Sequence, residues 1–136
     1  MTERNFASIE SAIEKIAAGG MVIVVDDEAR ENEGDFICAA EKITPEMVNF
    51  MLRSGRGVLC VPMPRDRADT LQLEPASLEN SALHHTNFTV SVDLATLKSG
   101  VSASERCETI RALAAENTGP EELARPGHVY PLVAHE

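Results

Sequence analysis

Residues 21–40 read MVIVVDDEARENEGDFICAA, an acidic loop between two apolar runs. Residues 21–25 are short and β-branched, which predicts a buried strand, and residues 36–40 predict a second strand. The loop places six carboxylates around Arg30: Asp26, Asp27, Glu28, Glu31, Glu33 and Asp35. Like charges at about 4 Å repel by roughly 1 kcal/mol in water and about 4 kcal/mol when half-buried. A divalent cation, a raised pKa on one carboxyl group or simple exposure to water would each relieve that repulsion.

Helix signals and further strand signals alternate on both sides of this segment. Apolar residues at helical spacing before Gly19-Gly20 predict one helix, Thr44-Pro45 opens another, and the capping box from Ser102 to Glu105 opens a third. Residues 58–61, 88–93 and 129–133 predict strands, whereas residues 73–86 predict a long loop. This alternation predicts one α/β (α+β) domain over residues 1–136, with a mixed, twisted sheet and flanking helices. A core strand so close to residue 136 is expected to be an edge strand, unless part of the fold lies outside this chain.

Composition and charge exclude several classes of protein. A formal net charge of −10, no Trp, one Tyr and four Phe argue against a nucleic-acid surface. Apolar runs are far shorter than the roughly 20 residues that a membrane helix needs, and the first residues do not resemble a signal peptide. Three cysteines at irregular spacing predict buried, reduced thiols. We therefore expect a cytoplasmic protein without membrane or nucleic-acid partners.

The acidic loop does not match the helix–loop–helix calcium template. Counted from Asp26, positions six and twelve hold Glu31 and Ile37, where that template requires Gly and Glu. Mg²⁺ fits better, because it takes one or two carboxylates together with substrate oxygens and water. A solvated turn without any ligand remains the alternative.

Other polar positions give weaker signals. His128 lies between a Pro-Gly turn and a predicted strand, a position that suits either a structural or a catalytic histidine. Ser99 and the first amides of the helix after Ser102 could hold a phosphate, or could simply cap that helix. His84-His85 is a poor metal pair, because adjacent side chains of a strand point to opposite faces.

Five motifs together resemble 3,4-dihydroxy-2-butanone 4-phosphate synthase, an enzyme family of riboflavin biosynthesis. They are DDEARENEGDF (26–36), RSGRGVLCVPM (53–63), FTVSVD (88–93), SGVSASER (99–106) and RPGHVYPL (125–132). The resemblance implies the fold of that family and a lyase that converts ribulose 5-phosphate into 3,4-dihydroxy-2-butanone 4-phosphate and formate. It also implies Mg²⁺ or Mn²⁺ as cofactor and a cytoplasmic homodimer with active sites at the subunit interface.

The resemblance also implies residue roles. Glu31 would be a metal ligand, and the residues implied to contact the sugar phosphate are Arg30, Glu31, Asp35 and Ser99. The residues implied to be catalytic are His128, Glu31 and Glu33.

This chain departs from the family in two motifs. Lys98-Ser99-Gly100 replaces the usual Thr-Thr-Gly, and Ala29 replaces an Asp. Family members also continue beyond the last predicted strand into a Gly-His-Thr-Glu motif that supplies a second metal ligand. We therefore expect residues 1–136 to lack the family's C-terminal segment. A catalytically silent relative that dimerises or binds a sugar phosphate is one alternative, and a divalent-cation module unrelated to sugars is another.

Overall fold

The structure, a computed structural model, describes residues 6–135. The helices are α1 (Ile9–Ala17), α2 (Pro45–Ser54), α3 (Arg65–Thr70) and α4 (Ala103–Ala114), with 3₁₀ turns at Ala40–Lys42 and Pro120–Glu122. The strands are β1 (Val22–Val25), β2 (Gly34–Ile37), β3 (Cys60–Met63), β4 (Val92–Leu94) and β5 (Leu123–Val133). This mixture of helices and strands confirms the predicted fold class.

The larger sheet has three strands in the order β3-β5-β4 and is mixed, as predicted. Strand β5 pairs in parallel with β3, from Cys60 opposite Tyr130 to Met63 opposite Val133, and antiparallel with β4. The strand predicted at residues 129–133 is therefore the end of a central strand, not an edge strand. The predicted strand at residues 88–93 is regular only in β4, with isolated bridges at Phe88 and Thr89.

The hydrophobic core lies between this sheet and the helices α2 and α4. Its most buried side chains come from β4, β5, α4 and the helices around them: Val48, Leu71, Val92, Leu113 and Val129. Both predicted helix starts are confirmed. The Thr44 hydroxyl accepts a hydrogen bond from the backbone N–H of Met47 at 3.2 Å, and Ser102 and Glu105 form a reciprocal capping box.

Strands β1 and β2 form a separate antiparallel hairpin, from Val22 opposite Ile37 to Val25 opposite Gly34. The prediction that residues 21–25 form a buried strand is wrong in its burial, because Ile23 is 65% exposed and Val24 and Val25 are exposed too. The strand propensity of β-branched residues is local, whereas burial needs a second layer. The exposed apolar side chains of this hairpin are Ile23, Val24, Val25 and Ile37, whereas Phe36 packs on Phe50 of α2 with ring centroids 5.3 Å apart.

The remaining expectations concern cysteines, the long loop and membranes. All three cysteines are free, but only Cys107 is buried; Cys38 is half-buried and Cys60 is exposed. Residues 76–87 contain no helix and no strand, as predicted for a long loop. Among the described residues, no helix is long and apolar enough to span a bilayer.

Candidate active site

The acidic loop at residues 26–33, between β1 and β2, is organised by Asp26. Its carboxylate accepts the backbone N–H groups of Glu31 at 3.0 Å and Glu33 at 2.9 Å, and pairs with the Arg30 guanidinium at 3.1 Å. The Glu33 N–H holds the pKa of Asp26 below its usual value, and the Glu31 N–H and Arg30 contribute in the same direction. The other carboxylates of the loop are exposed. Exposure to water and hydrogen bonds within the loop therefore relieve the repulsion between its carboxylates. The pKa of Asp26 is lowered, so a raised pKa is not what relieves the repulsion at this residue.

Glu31 is the point where this loop meets another segment. Its Oε1 lies 3.4 Å from Arg30 and 3.4 Å from Nε2 of His84, which belongs to the long loop at residues 73–86. Of the two adjacent histidines, His84 contacts the acidic loop. The sequence argument assumed that residues 84 and 85 lie in a strand, and they do not.

Glu33 lies in this loop and Asp35 in β2, and both residues are exposed. Partial desolvation by neighbouring atoms, and to a lesser extent the charge of Asp35, raises the pKa of the Cys60 thiol.

His128 lies in β5 and is bound twice by Asp93 of β4. Its ring Nδ1 is 2.8 Å from Oδ2 of Asp93, and its backbone N–H donates to Oδ1 at 2.8 Å. Asp93 is only 9% exposed. Arg125, which precedes this site in the sequence, instead donates to the backbone carbonyls of Leu71 and Gln72.

Gly127 allows β5 to pass this close to β4. A Cβ on Gly127 would lie 2.0 Å from the carbonyl carbon of Val92, a separation that no side chain can adopt. The Gly127 N–H also donates to the Ser91 hydroxyl at 3.1 Å. The Pro-Gly turn expected before His128 is therefore part of a long strand whose glycine is required by close packing.

The turn at residues 98–101 lies against the same carboxylate. Gly100 is buried with a φ of +76°, and a Cβ there would lie 2.2 Å from Oδ2 of Asp93. This close approach connects the turn that contains Ser99 to the His128–Asp93 pair.

Ser99, one of the groups expected to hold a phosphate, is hydrogen-bonded within the chain. Glu105 Oε1 accepts the N–H groups of Lys98 at 3.1 Å and Ser99 at 3.2 Å, and the Ser99 hydroxyl donates to Oε2 at 2.9 Å. The Ser99 N–H, and then its hydroxyl, lower the pKa of Glu105 to about 2. Helix capping, which the sequence left as the alternative, thus accounts for these contacts.

Known proteins of one family match almost the whole chain. A model of the family 3,4-dihydroxy-2-butanone 4-phosphate synthase matches residues 10–136. The riboflavin biosynthesis protein RibBA of Cytophaga hutchinsonii is 52% identical over 100% of this chain and 34% of the relative. That of Porphyromonas gingivalis is 53% identical over 98% of this chain and 34% of the relative. This chain belongs to the 3,4-dihydroxy-2-butanone 4-phosphate synthase family.

Solved structures of synthases share the fold. A synthase crystallised in complex with two magnesium ions superposes with a TM-score of 0.91 at 40% identity, over 96% of this chain and 61% of that one. A synthase from Candida albicans superposes with a TM-score of 0.81 at 43% identity, over 95% of this chain and 63% of that one. The chain thus spans about a third of the curated relatives and about three fifths of these synthase chains.

The sites predicted from the sequence fall into two groups in the synthase fold. The first group lies at one end of the β1–β2 hairpin: Arg30, Glu31 and Glu33 in the acidic loop and Asp35 in β2. His128 and Ser99 form the second group, near Asp93. Among the described residues, no hydrogen bond or ion pair joins His128 to the acidic loop.

Asp93 is the residue that sequence reasoning missed. In a regular strand over residues 88–93, Asp93 would lie with Thr89 and Ser91 on the polar face. The pairing with β5 instead shifts register between Val92 and Asp93, and both residues are buried. An acidic residue at the end of an apolar strand was the signal that could have pointed to it.

Proposed function

We propose that this chain takes part in converting ribulose 5-phosphate into 3,4-dihydroxy-2-butanone 4-phosphate and formate. The observation that carries the proposal is the family match over residues 10–136, which includes both the acidic loop and His128. We also propose that residues 1–136 belong to one domain of the synthase.

The reaction requires proton transfers at adjacent carbons of the sugar and the loss of C4 as formate. We assign His128 as the group that moves these protons, with Glu33 as a second acid–base group. We assign Arg30 to the phosphate, because its guanidinium is exposed and suits a phosphate geometrically. Asp35 is assigned to the hydroxyl groups of the substrate, and Ser99 to its phosphate oxygens.

The residues fit a divalent cation only if substrate and water complete its shell. Among the described residues, no three His, Cys, Asp or Glu side chains lie close enough together to hold an ion. Glu31 is an exposed carboxylate, and Mg²⁺ commonly takes one or two carboxylates and keeps several waters. Glu31 is therefore the residue that we assign to Mg²⁺, or to Mn²⁺. When bound, the cation would stabilise negative charge that develops on the sugar oxygens.

A cytoplasmic homodimer is the proposed form of the protein. The hairpin exposes Ile23, Val24, Val25 and Ile37, and apolar surface of this kind is commonly covered by a partner. Free thiols suit a reducing compartment, and the net charge of −10 disfavours nucleic acid as a partner. Sedimentation at micromolar concentration should give a dimer or larger species, and a clean monomer would contradict this part of the proposal.

Formate release tests the function directly. The chain is incubated with ribulose 5-phosphate and Mg²⁺, and formate is measured through NADH formed by formate dehydrogenase. A parallel sample continues this chain into the remainder of the Cytophaga hutchinsonii relative. Formate in either sample that disappears with EDTA supports the proposal. Sugar-phosphate binding without formate in both samples would indicate the catalytically silent alternative, and binding of Mg²⁺ alone would indicate a cation module.

A further inference from the structure

We propose that Asp93 is a positioning residue that holds the neutral His128 ring in one tautomer, with the proton on Nδ1 and Nε2 free to accept a proton. The catalytic consequence of this arrangement rests on the proposed function; the arrangement itself does not.

The hydrogen-bond chemistry of the pair determines the tautomer. An ionised carboxylate only accepts hydrogen bonds, so an imidazole nitrogen 2.8 Å from Oδ2 of Asp93 must be the one that carries hydrogen. In the neutral ring the other nitrogen, Nε2, is then unprotonated. Among the described residues, no hydrogen bond to Nε2 is present, and the His128 side chain is 43% exposed. Nε2 is therefore accessible to a molecule in solution.

The second bond fixes the orientation of Asp93. Its Oδ1 accepts the backbone N–H of His128 at 2.8 Å, so both oxygens of one carboxylate bind one residue. The Asp93 side chain is only 12% exposed, and the backbone of Gly100 lies against Oδ2. The carboxylate thus has little room to rotate, and the ring that depends on it is held as well.

If Asp93 had only a structural role, it would bind the backbone N–H of His128 and would not determine the tautomer of the ring. Asparagine separates the two roles, because it has the same shape but only one acceptor oxygen. The backbone N–H of His128 can only donate, so it retains that oxygen and turns the amide NH₂ towards Nδ1. Nδ1 must then accept, and the proton moves to Nε2. In serine proteases, the equivalent Asp→Asn change acts through this loss of the correct tautomer.

Nitrogen-15 NMR of the imidazole rings tests the proposal without any turnover. Long-range ¹H–¹⁵N spectra distinguish the two neutral tautomers, and the His128 signals are those that vanish in His128→Gln. Above neutral pH, we expect His128 to be protonated at Nδ1 in the unmodified chain, at Nε2 in Asp93→Asn, and again at Nδ1 in Asp93→Glu. The exposed His85 is the internal control and should not change.

A tautomer mixture at His128 in the unmodified chain would overturn the proposal, as would an unchanged tautomer in Asp93→Asn. The spectrum of the unmodified chain decides the question even if Asp93→Asn does not fold.

Turnover gives the second readout. Asp93→Asn should lower kcat for formate release about 10²- to 10⁴-fold while KM changes little, and Asp93→Glu should restore part of it. An equal loss in Asp93→Asn and Asp93→Glu would contradict a role through the ring. If neither the chain nor its extended form releases formate, the proposed function fails, whereas the NMR result still decides the tautomer.

Discussion

The His128–Asp93 pair and the acidic loop are held in place by different means. His128 and Asp93 lie on paired strands, and Asp93 and the neighbouring Gly100 are buried. The acidic loop is an exposed turn whose shape depends on the hydrogen bonds of Asp26 and on contacts with Arg30. The first region is therefore ordered by the core, and the second by its own short-range contacts. This difference teaches that the residue proposed to transfer protons is positioned by the fold, whereas Arg30 and Glu31, which we assign to substrate and metal, depend on an exposed loop.

The largest effect is expected from His128→Ala. Loss of one general acid–base group should lower the rate of formate release about 10²- to 10⁴-fold, while the melting temperature stays near that of the unmodified protein. His85→Ala, which removes an exposed loop histidine, is the matched control and should retain the rate. If His128→Ala unfolds, His128 is a packing residue, and the proposal that the fold positions a catalytic histidine is wrong.

Gly127→Ala tests how strictly the strands set the first region. Its Cβ would meet backbone atoms of Val92 and Asp93, which cannot rotate away, so we expect a loss of about 3 kcal/mol in the free energy of unfolding. Gly57→Ala is the control, because a Cβ there meets no atom within 4 Å, and it should change stability by less than about 0.5 kcal/mol. Urea denaturation measures both. Equal stabilities of the two variants would show that β5 can move away from β4.

Glu31→Gln tests the loop. Replacing the assigned ligand should weaken Mg²⁺ binding by roughly tenfold, or about 1.4 kcal/mol, without changing the melting temperature of the core. Calorimetric titration measures the affinity, with Glu14→Gln on α1 as a control that removes an exposed carboxylate elsewhere. Unchanged affinity in Glu31→Gln would remove this residue from the metal site.

The smallest effect is expected at Glu105, a half-buried residue whose carboxylate accepts hydrogen bonds from the turn at residues 98–99 and from the cap of α4. Its pKa is lowered from about 4.5 to about 2, so its charged form stabilises the fold. That stabilisation is fully present above about pH 4.5 and is lost as the pH falls towards 2. Melting temperatures of the unmodified protein should exceed those of Glu105→Gln at pH 7, and the two curves should converge near pH 2. A constant gap across this range would show that Glu105 does not titrate with folding.

The helix caps could be predicted from the sequence because they are local. Thr44, Ser102 and Glu105 bind backbone amides three residues away, so a few neighbouring residues are enough to predict these caps. The exposure of Ile23 could not be predicted, because it depends on whether a second layer covers the hairpin. Strand propensity alone does not predict whether the side chains of a strand are buried.

The pairing of His128 with Asp93 was also beyond sequence patterns. The two residues are separated by 35 positions, and their contact depends on a register shift that alternation rules ignore. The resemblance to a known family supplied His128 as a candidate, but not the carboxylate that fixes it. Likewise, the contact of His84 with Glu31 arises from the path of a long loop that carries no periodic pattern.

The central position of β5 has a consequence for how the protein is made. Strand β5 is the last strand in the described chain, yet it joins β3 and β4, and its pairing with β3 connects residues about 70 positions apart. During synthesis, β3 and β4 therefore remain unpaired in this sheet until β5 leaves the ribosome. Such long-range pairing slows folding and leaves β3 and β4 open to wrong partners in the meantime. We expect nascent chains that stop before residue 123 to depend on chaperones, and chains that include β5 to be released from them.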